Sequence, residues 1–398
     1  MLVRSAEVLD EIRRASKFGI TTGDVRIDWS RVIDRKETFT GGVSEATGKS
    51  LKDEGIDFIE GCPRFVSDRE VEIDGERLQA DAFVIATGSS PRTLIFAGSE
   101  HLMTSDDVLA ARTIPQRVVI IGAGVIAFEF GQVFARVGAQ VTVIARSRQV
   151  LARHDRELVD ALLKFTAGEL GVQFIFDASV RAVRKHDHAF TVTFETDTRQ
   201  TIEADCVVNA SGRLPSLDGL ALDDAGVEFS QRGVVVDDYL RSPSNRRVFA
   251  AGDAHGFLQL SPIASYEGRV VAKNFIESDT EQVNYDAVPR VLFTVPALAS
   301  VGLTEEEART NGLQVSVTTH NLTGRSVYAI LGEPIAFAKI ITESSSGRIV
   351  GFHLFGRGAE ENIHLFALAM QFGITAQQIK SMVFGFPTLV SALSRMLG

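Results

Sequence analysis

The sequence predicts an α/β protein built on two related Rossmann-like domains. Two observations carry this expectation. A glycine-rich loop lies between two β-branched strands with a helical run after it, at 117–147. A small-residue turn following an apolar strand occurs twice, as FVIATGSSP (83–91) and VVNASGRLP (207–215). At 398 residues the chain exceeds one ordinary core and suggests two or three domains.

The chain opens with MLVRSAEVLDEIRRASKFGI. Leu2, Val8, Leu9, Ile12, Ala15 and Phe18 recur at helical spacing, and Gly19 stands where a helix would stop. Arg4, Arg13 and Arg14 with Glu7, Asp10 and Glu11 exclude a signal peptide here. Apolar residues at 45% and charged ones at 23% are typical of a globular protein. The longest apolar run, Val118 to Phe128, is shorter than a membrane span and holds two glycines. A formal charge of −10 argues against a nucleic-acid partner and against an anionic membrane surface, so the expectation is a cytoplasmic protein. Cys62 and Cys206 are far apart in sequence, which excludes a disulfide framework, a CxxC pair and a thiolate metal site; both read as packing residues. His186 and His188 read as a solvated turn, and no metal site is expected.

RVVIIGAGVIAFEFGQVFARVGAQVTVIARS (117–147) is the most informative stretch. Val118 to Ile121 reads as a strand, Gly122 to Ala127 as a tight turn, Phe128 to Val137 as a helix, and Val141 to Ile144 as a second strand. Gly122 permits the turn, and Gly124 lets backbone approach a pyrophosphate with no Cβ in the way. Ala127 is small enough for helix to pack on strand, and the helix N-terminus offers N–H groups to phosphates. The second strand ends in Ala145-Arg146-Ser147-Arg148 rather than in an acidic residue that would accept a ribose 2′-hydroxyl. Arg146 and Arg148 suit a 2′-phosphate, so NADP(H) is favoured over NAD(H); the competing reading is two arginines on a surface loop.

Gly124 lies 88 residues before Gly212 in the second small-residue turn. The same offset from Gly88 in the first turn points to or before the start of the chain, so a matching first glycine loop is absent from this sequence. RRVFAAGDAHG (246–256) adds a strand ending in Gly252-Asp253. A carboxylate there can accept sugar or polyol hydroxyls, the plain alternative being a strand-to-turn Asp.

Together these residues resemble the pyridine nucleotide–disulfide oxidoreductase family, over essentially the whole chain. The resemblance rests on IATGSSP, GAGVIAFE, ASGRLP, VFAAGDA and VPRVLFTVPALASVGLTEEEA (288–308), the last looking like the start of the family's dimerisation domain. It implies an FAD-containing homodimer. Thr87, Gly88, Ser89, Gly252 and Asp253 would contact FAD. Gly122, Ala123, Gly124, Val125, Ile126, Ala127, Phe128, Glu129 and Gly212 would line the nicotinamide cofactor. Val125 would be the family's gating residue, and Glu129 would stand at the flavin–nicotinamide interface. The VTVIARS strand end looks most like the mercuric reductase branch, which uses NADPH.

The resemblance also implies a strand, an FAD GxGxxG loop, a redox CxxxxC and a lysine partner for Glu129, all ahead of the opening helix. This sequence carries none of them. The flavin domain is therefore expected to be truncated, or the start misassigned, and no dithiol relay is expected. The family's His-Pro-Thr and the glutamate after it fall here on Phe386-Pro387-Thr388 and Ser391. Phenylalanine cannot transfer a proton and serine replaces the orienting carboxylate, so no catalytic acid–base pair is identified.

The expected layout is an FAD-type domain in two parts (1–106 and 238–285) around an NAD(P) domain (107–237), then an α+β dimerisation domain (286–398). The expected function is an FAD-dependent NAD(P)H oxidoreductase passing hydride from NADPH to flavin. A small-molecule acceptor other than a disulfide, such as a quinone, metal ion or oxygen, would follow. The alternative is a non-catalytic NADP(H)-binding dimeric scaffold. The opening helix resembles the one that follows the family's redox-cysteine segment, which implies that its apolar face packs on elements upstream, and a half-built flavin domain is expected to leave apolar surface uncovered.

Overall fold

Four parallel strands organise the first of two units in the computed structural model, which describes residues 1–278 and 280–397. This unit comprises Met1–Glu37, Leu94–Ser211 and Tyr285–Gly398. Its sheet runs in the order Cys206–Asn209, Arg117–Ile121, Gln140–Ile144, Gln173–Ile175. The strands are largely apolar because both faces are covered. Val118 and Ile120 pack with Ala127 and Phe134 of the helix Val125–Arg136. Val119 and Ile121 pack instead with Val183, Val192 and Phe194 of the antiparallel sheet formed by Ser179–His186, Ala189–Glu195 and Arg199–Ala204.

The opening helix spans Leu2–Arg13, and a short turn (Ala15–Phe18) precedes Gly19, whose φ of 75° lets the chain reverse. Part of its apolar face is covered within the unit, while Val8 and Phe18 stay exposed. Leu2 and Ala6 are buried with Trp29, Ile33 and Val133, and Arg13 Nη1 donates to Arg136 O at 2.5 Å. Trp29 Nε1 donates to Ala111 O at 2.9 Å. Residues 1–37, expected in the flavin-type part, therefore belong to the glycine-loop unit.

Residues from Tyr285 onward form a five-stranded antiparallel sheet in the order Arg290–Leu292, Leu298–Gly302, Ile349–Phe355, Phe337–Glu343, Val315–Asn321. The helix Ala359–Gln371 covers one face through Ile363, Phe366 and Ala369. The other face carries a row of polar cross-strand neighbours, Ser300, His353 and Lys339. Two consecutive residues reach that row: His154 Nδ1 lies 3.1 Å from Ser300 Oγ, and Asp155 Oδ2 lies 3.1 Å from Lys339 Nζ. His353 Nε2 sits 3.1 Å from Leu303 O, on the same side as the Arg290 guanidinium.

Burial, then the nearby Arg290 charge, depress the His154 imidazole from 6.5 to about 3. Burial lowers His353 as well. Below about pH 6.5 the unfolded chain takes up these protons while the folded chain does not, so stability must fall with acid. Each histidine steepens the dependence by up to about 1.4 kcal/mol per pH unit. Denaturant titrations between about pH 5 and 7 should show that slope, and His154→Asn should remove one proton's share of it.

The second unit comprises Thr38–Thr93 and Gly212–Asn284. Phe83–Ile85 pairs in parallel with Val248–Ala250, and Ile85, Val248 and Ala250 share a core with Phe65 and Leu222. The limbs of the repeated turn pair with each other: Ser89–Pro91 runs antiparallel to Arg213–Pro215, with Pro215 opposite Ser89. Phe39, Val43, Ile56, Phe58 and Ile59 in this unit are 47–62% exposed, apolar surface of the kind expected.

Candidate functional site

Gly122 ends the first parallel strand with φ 105°, and its N–H donates to Ile144 O at 2.8 Å. A Cβ there would stand 2.3 Å from Ala210 O, so the loop closes on the end of a neighbouring strand where no side chain fits. Gly124 caps the helix Val125–Arg136 with extended backbone and no side-chain cap, and a Cβ there would meet nothing within 4 Å. The first amides of a 12-residue helix thus face open space beside a glycine, a cradle that fits a dinucleotide pyrophosphate. The helix begins at Val125 rather than Phe128, which brings Val125, Ile126 and Ala127 into its first turn. Val125 is 44% exposed, while Ala127 and Phe128 are buried.

Arg146 and Arg148 follow the second strand. Arg148 Nε lies 2.9 Å from Asp177 Oδ2, with both side chains largely exposed, an interaction that water and salt weaken. Arg146 is exposed. Glu129 is half-buried on the glycine-loop helix and its Oε1 accepts the Phe293 N–H at 2.9 Å. Burial raises its carboxyl above the ordinary value, against the opposing pull of that N–H.

In the second unit Asp253 stands on the turn Gly252–Ala254. Its Oδ2 accepts the Ser89 hydroxyl at 2.5 Å. Ser89 Oγ in turn accepts from Arg213 Nε at 2.9 Å, and Arg213 Nη2 donates to Ser89 O at 2.5 Å. Ser89 comes from the first copy of the repeated turn and Arg213 from the second, so the strand pairing between copies builds this cluster. Gly88, Gly212 and Gly252 all take positive φ, and Thr87 is exposed beside them. A carboxylate among hydroxyl-bearing neighbours fits a polyol or ribose hydroxyl of a flavin cofactor. Arg213 was not singled out from sequence, because its partner is set by strand register.

The His255 side chain is nearly covered, with Nε2 2.9 Å from Glu267 Oε1. Cys206 is buried and its thiol is pushed up to about 11, by burial first and by Asp205 second. Cys62 is exposed rather than packed, since residues 56–63 form no strand. Among the described residues there is no metal-binding cluster and no helix long and apolar enough to cross a membrane.

Phe386 is 68% exposed. Ser391 closes a capping box with Thr388 at the start of the helix Leu389–Ser394: its N–H donates to Thr388 Oγ1 at 3.2 Å, and Thr388 N–H donates to its Oγ at 3.1 Å. Ser391 thus caps its own helix.

Comparison with known proteins agrees with this geometry. Residues 11–268 match the profile "Pyridine nucleotide-disulphide oxidoreductase", and residues 288–397 match that family's dimerisation domain. The chain is 33% identical to a dihydrolipoyl dehydrogenase of Bacillus subtilis over 405 residues, covering all of this chain and 87% of the relative. It is 30% identical to the mercuric reductase of Bacillus cereus, covering 98% of this chain but 63% of that protein's length. In fold it superimposes on the HOCl-induced flavoprotein disulfide reductase RclA from Escherichia coli, with a TM-score of 0.85 at 23% identity, covering 100% of this chain and 89% of the other. These matches lead to one conclusion: the chain belongs to the pyridine nucleotide-disulphide oxidoreductase family.

Proposed function

We propose that this chain serves a flavin-dependent oxidoreductase that takes hydride from NADPH and delivers electrons to a small acceptor that is not a disulfide. The observation that carries the reading is the glycine loop, where Gly122 and Gly124 leave the N-terminus of a helix open beside a strand end. Members of the family are flavin-dependent oxidoreductases. The chemistry supplied by the bound cofactors is hydride transfer from nicotinamide to flavin.

The protein's part is to bind and orient. Val125 and Ile126 offer amides to the nicotinamide cofactor's pyrophosphate, and Arg146 is the cation assigned to its 2′-phosphate. Asp253, steadied by Ser89, accepts a flavin polyol hydroxyl. Glu129, with its carboxyl raised by burial, holds a proton more readily than an exposed glutamate. NADPH over NADH is supported by the arginines at the strand end and by the absence of an acidic residue there.

Phe386 and Ser391 favour an acceptor other than a disulfide. Reduction of a disulfide needs a general acid for the leaving thiolate, and a phenyl ring beside a serine committed to its helix cap supplies none. Two copies joined through the C-terminal domain, cytoplasmic and without nucleic-acid or membrane partners, complete the reading. Assays with NADPH should show turnover with quinones, metal ions or oxygen. Comparable turnover with lipoamide or glutathione disulfide would overturn the choice of acceptor. NADPH oxidation absent with every acceptor, FAD being supplied, would favour the non-catalytic scaffold.

A further inference from the structure

Glu267 is fully buried on the helix Ser261–Glu277, and the chemistry above makes no use of it. A carboxylate out of water needs partners, and both of its oxygens lie against one turn, Oε2 as a hydrogen-bond acceptor and Oε1 in close approach to a ring nitrogen. Oε2 accepts the Gly252 N–H at 2.6 Å, and Oε1 lies 2.9 Å from Nε2 of His255. Gly252 and His255 bracket Asp253 in sequence, so one group on a 17-residue helix bonds one end of the turn that carries it and abuts the other.

The turn has little slack on its other side. Gly252 and Gly256 hold φ of 64° and 71°. A Cβ at Gly256 would lie 1.8 Å from Arg232 O, and one at Gly233 would lie 2.4 Å from the His255 carbonyl carbon. The Asp253 side chain is engaged by Ser89 through Oδ2, which leaves Oδ1 for a ligand hydroxyl.

We propose that Glu267 is a positioning residue: through Gly252 and His255 it sets the Asp253 carboxylate to accept a flavin polyol hydroxyl. This rests on the reading of Asp253 as a flavin contact. A glutamine at 267 keeps the volume but places an NH2 where one of the two acceptors stood, so the Gly252 N–H and the His255 ring can no longer both be held as they are.

The test is FAD affinity of the full chain, read by quenching of FAD fluorescence as protein is added, together with hydrogen exchange in residues 252–256. Glu267→Gln should weaken FAD binding about ten-fold and speed exchange across the turn. Asp253→Ala should weaken binding as well, and the double variant should be no weaker than Asp253→Ala alone, because Glu267 acts through Asp253. Additive losses would reduce Glu267 to general support and overturn the proposal. Unchanged affinity in Glu267→Gln beside a weakened Asp253→Ala would overturn it too, with the flavin contact intact. Unchanged affinity in Asp253→Ala, or no FAD uptake by the unaltered chain, would remove the flavin contact itself and the positioning role with it. His255→Gln, expected to weaken binding in the same direction, decides the matter if Glu267→Gln does not fold.

Discussion

Gly122→Ala is expected to cost roughly 3 kcal/mol of stability and to weaken NADPH binding roughly a hundred-fold. The added Cβ would meet three backbone atoms, Ala210 O at 2.3 Å, Ala210 C at 2.6 Å and Ser211 Cα at 2.9 Å, and backbone cannot rotate aside as a side-chain tip can. The φ of 105° adds strain for any residue with a Cβ. Relief requires the loop to move off the strand end, which takes the helix amides away from where a pyrophosphate would lie. Gly124→Ala is the informative companion. Its φ of −93° is ordinary and a Cβ meets nothing within 4 Å, so the fold should melt within about 1 kcal/mol of the parent. Binding should still fall, because the methyl group occupies the space through which phosphate approaches backbone. Thermal melts and NADPH titrations of the two variants separate the loop's structural demand from its functional one.

Lys339→Ala is expected to cost about 3–5 kcal/mol, the loss typical of a buried charge cluster deprived of one sign. Lys339 is 3% exposed, and its ammonium lies 2.9 Å from Glu305, 3.1 Å from Asp155 and 3.2 Å from Glu157. Burial by itself would lower that ammonium, but Glu305 and Asp155 outweigh it and its net direction is up. Asp155 is itself buried and caps the helix Arg156–Leu170 through Glu157 N–H, so removing the cation strands a carboxylate that cannot turn to water. Lys339 contacts first, then Arg309, hold the Glu305 carboxyl below its usual range. That contribution is present above the unfolded carboxyl value and is lost as pH falls through the lower folded value. The gap between parent and variant should therefore narrow in acid, and urea titrations at neutral and acidic pH would show it.

The parts of the protein legible in sequence are those whose information is local. The glycine loop was readable because turn, helix and both strands fall within 31 consecutive residues of fixed spacing. Its helix start was misplaced by three residues because the cap is a glycine, which gives none of the side-chain signal of Ser, Thr or Asp. Ser89 and Asp253 were each visible as the end of a motif. Their junction with Arg213 was not, since it depends on Ser89–Pro91 pairing with Arg213–Pro215. The polar row was invisible for the same reason: His154 and Ser300 stand 146 residues apart, and the motif that holds Ser300 does not name its partner across the sheet. The opening helix was read correctly as amphipathic, but amphipathicity names no partner, and Val133, Trp29 and Ile33 provide one within the same unit.

The proposed chemistry is hydride transfer from a nicotinamide to a flavin. Anaerobic titration of the FAD-loaded protein with NADPH tests it most directly. The yellow flavin absorbance should bleach with the uptake of one equivalent of NADPH per flavin, and faster with NADPH than with NADH. A flavin that binds but stays oxidised, or one that draws a second equivalent into a thiol pair, would contradict it.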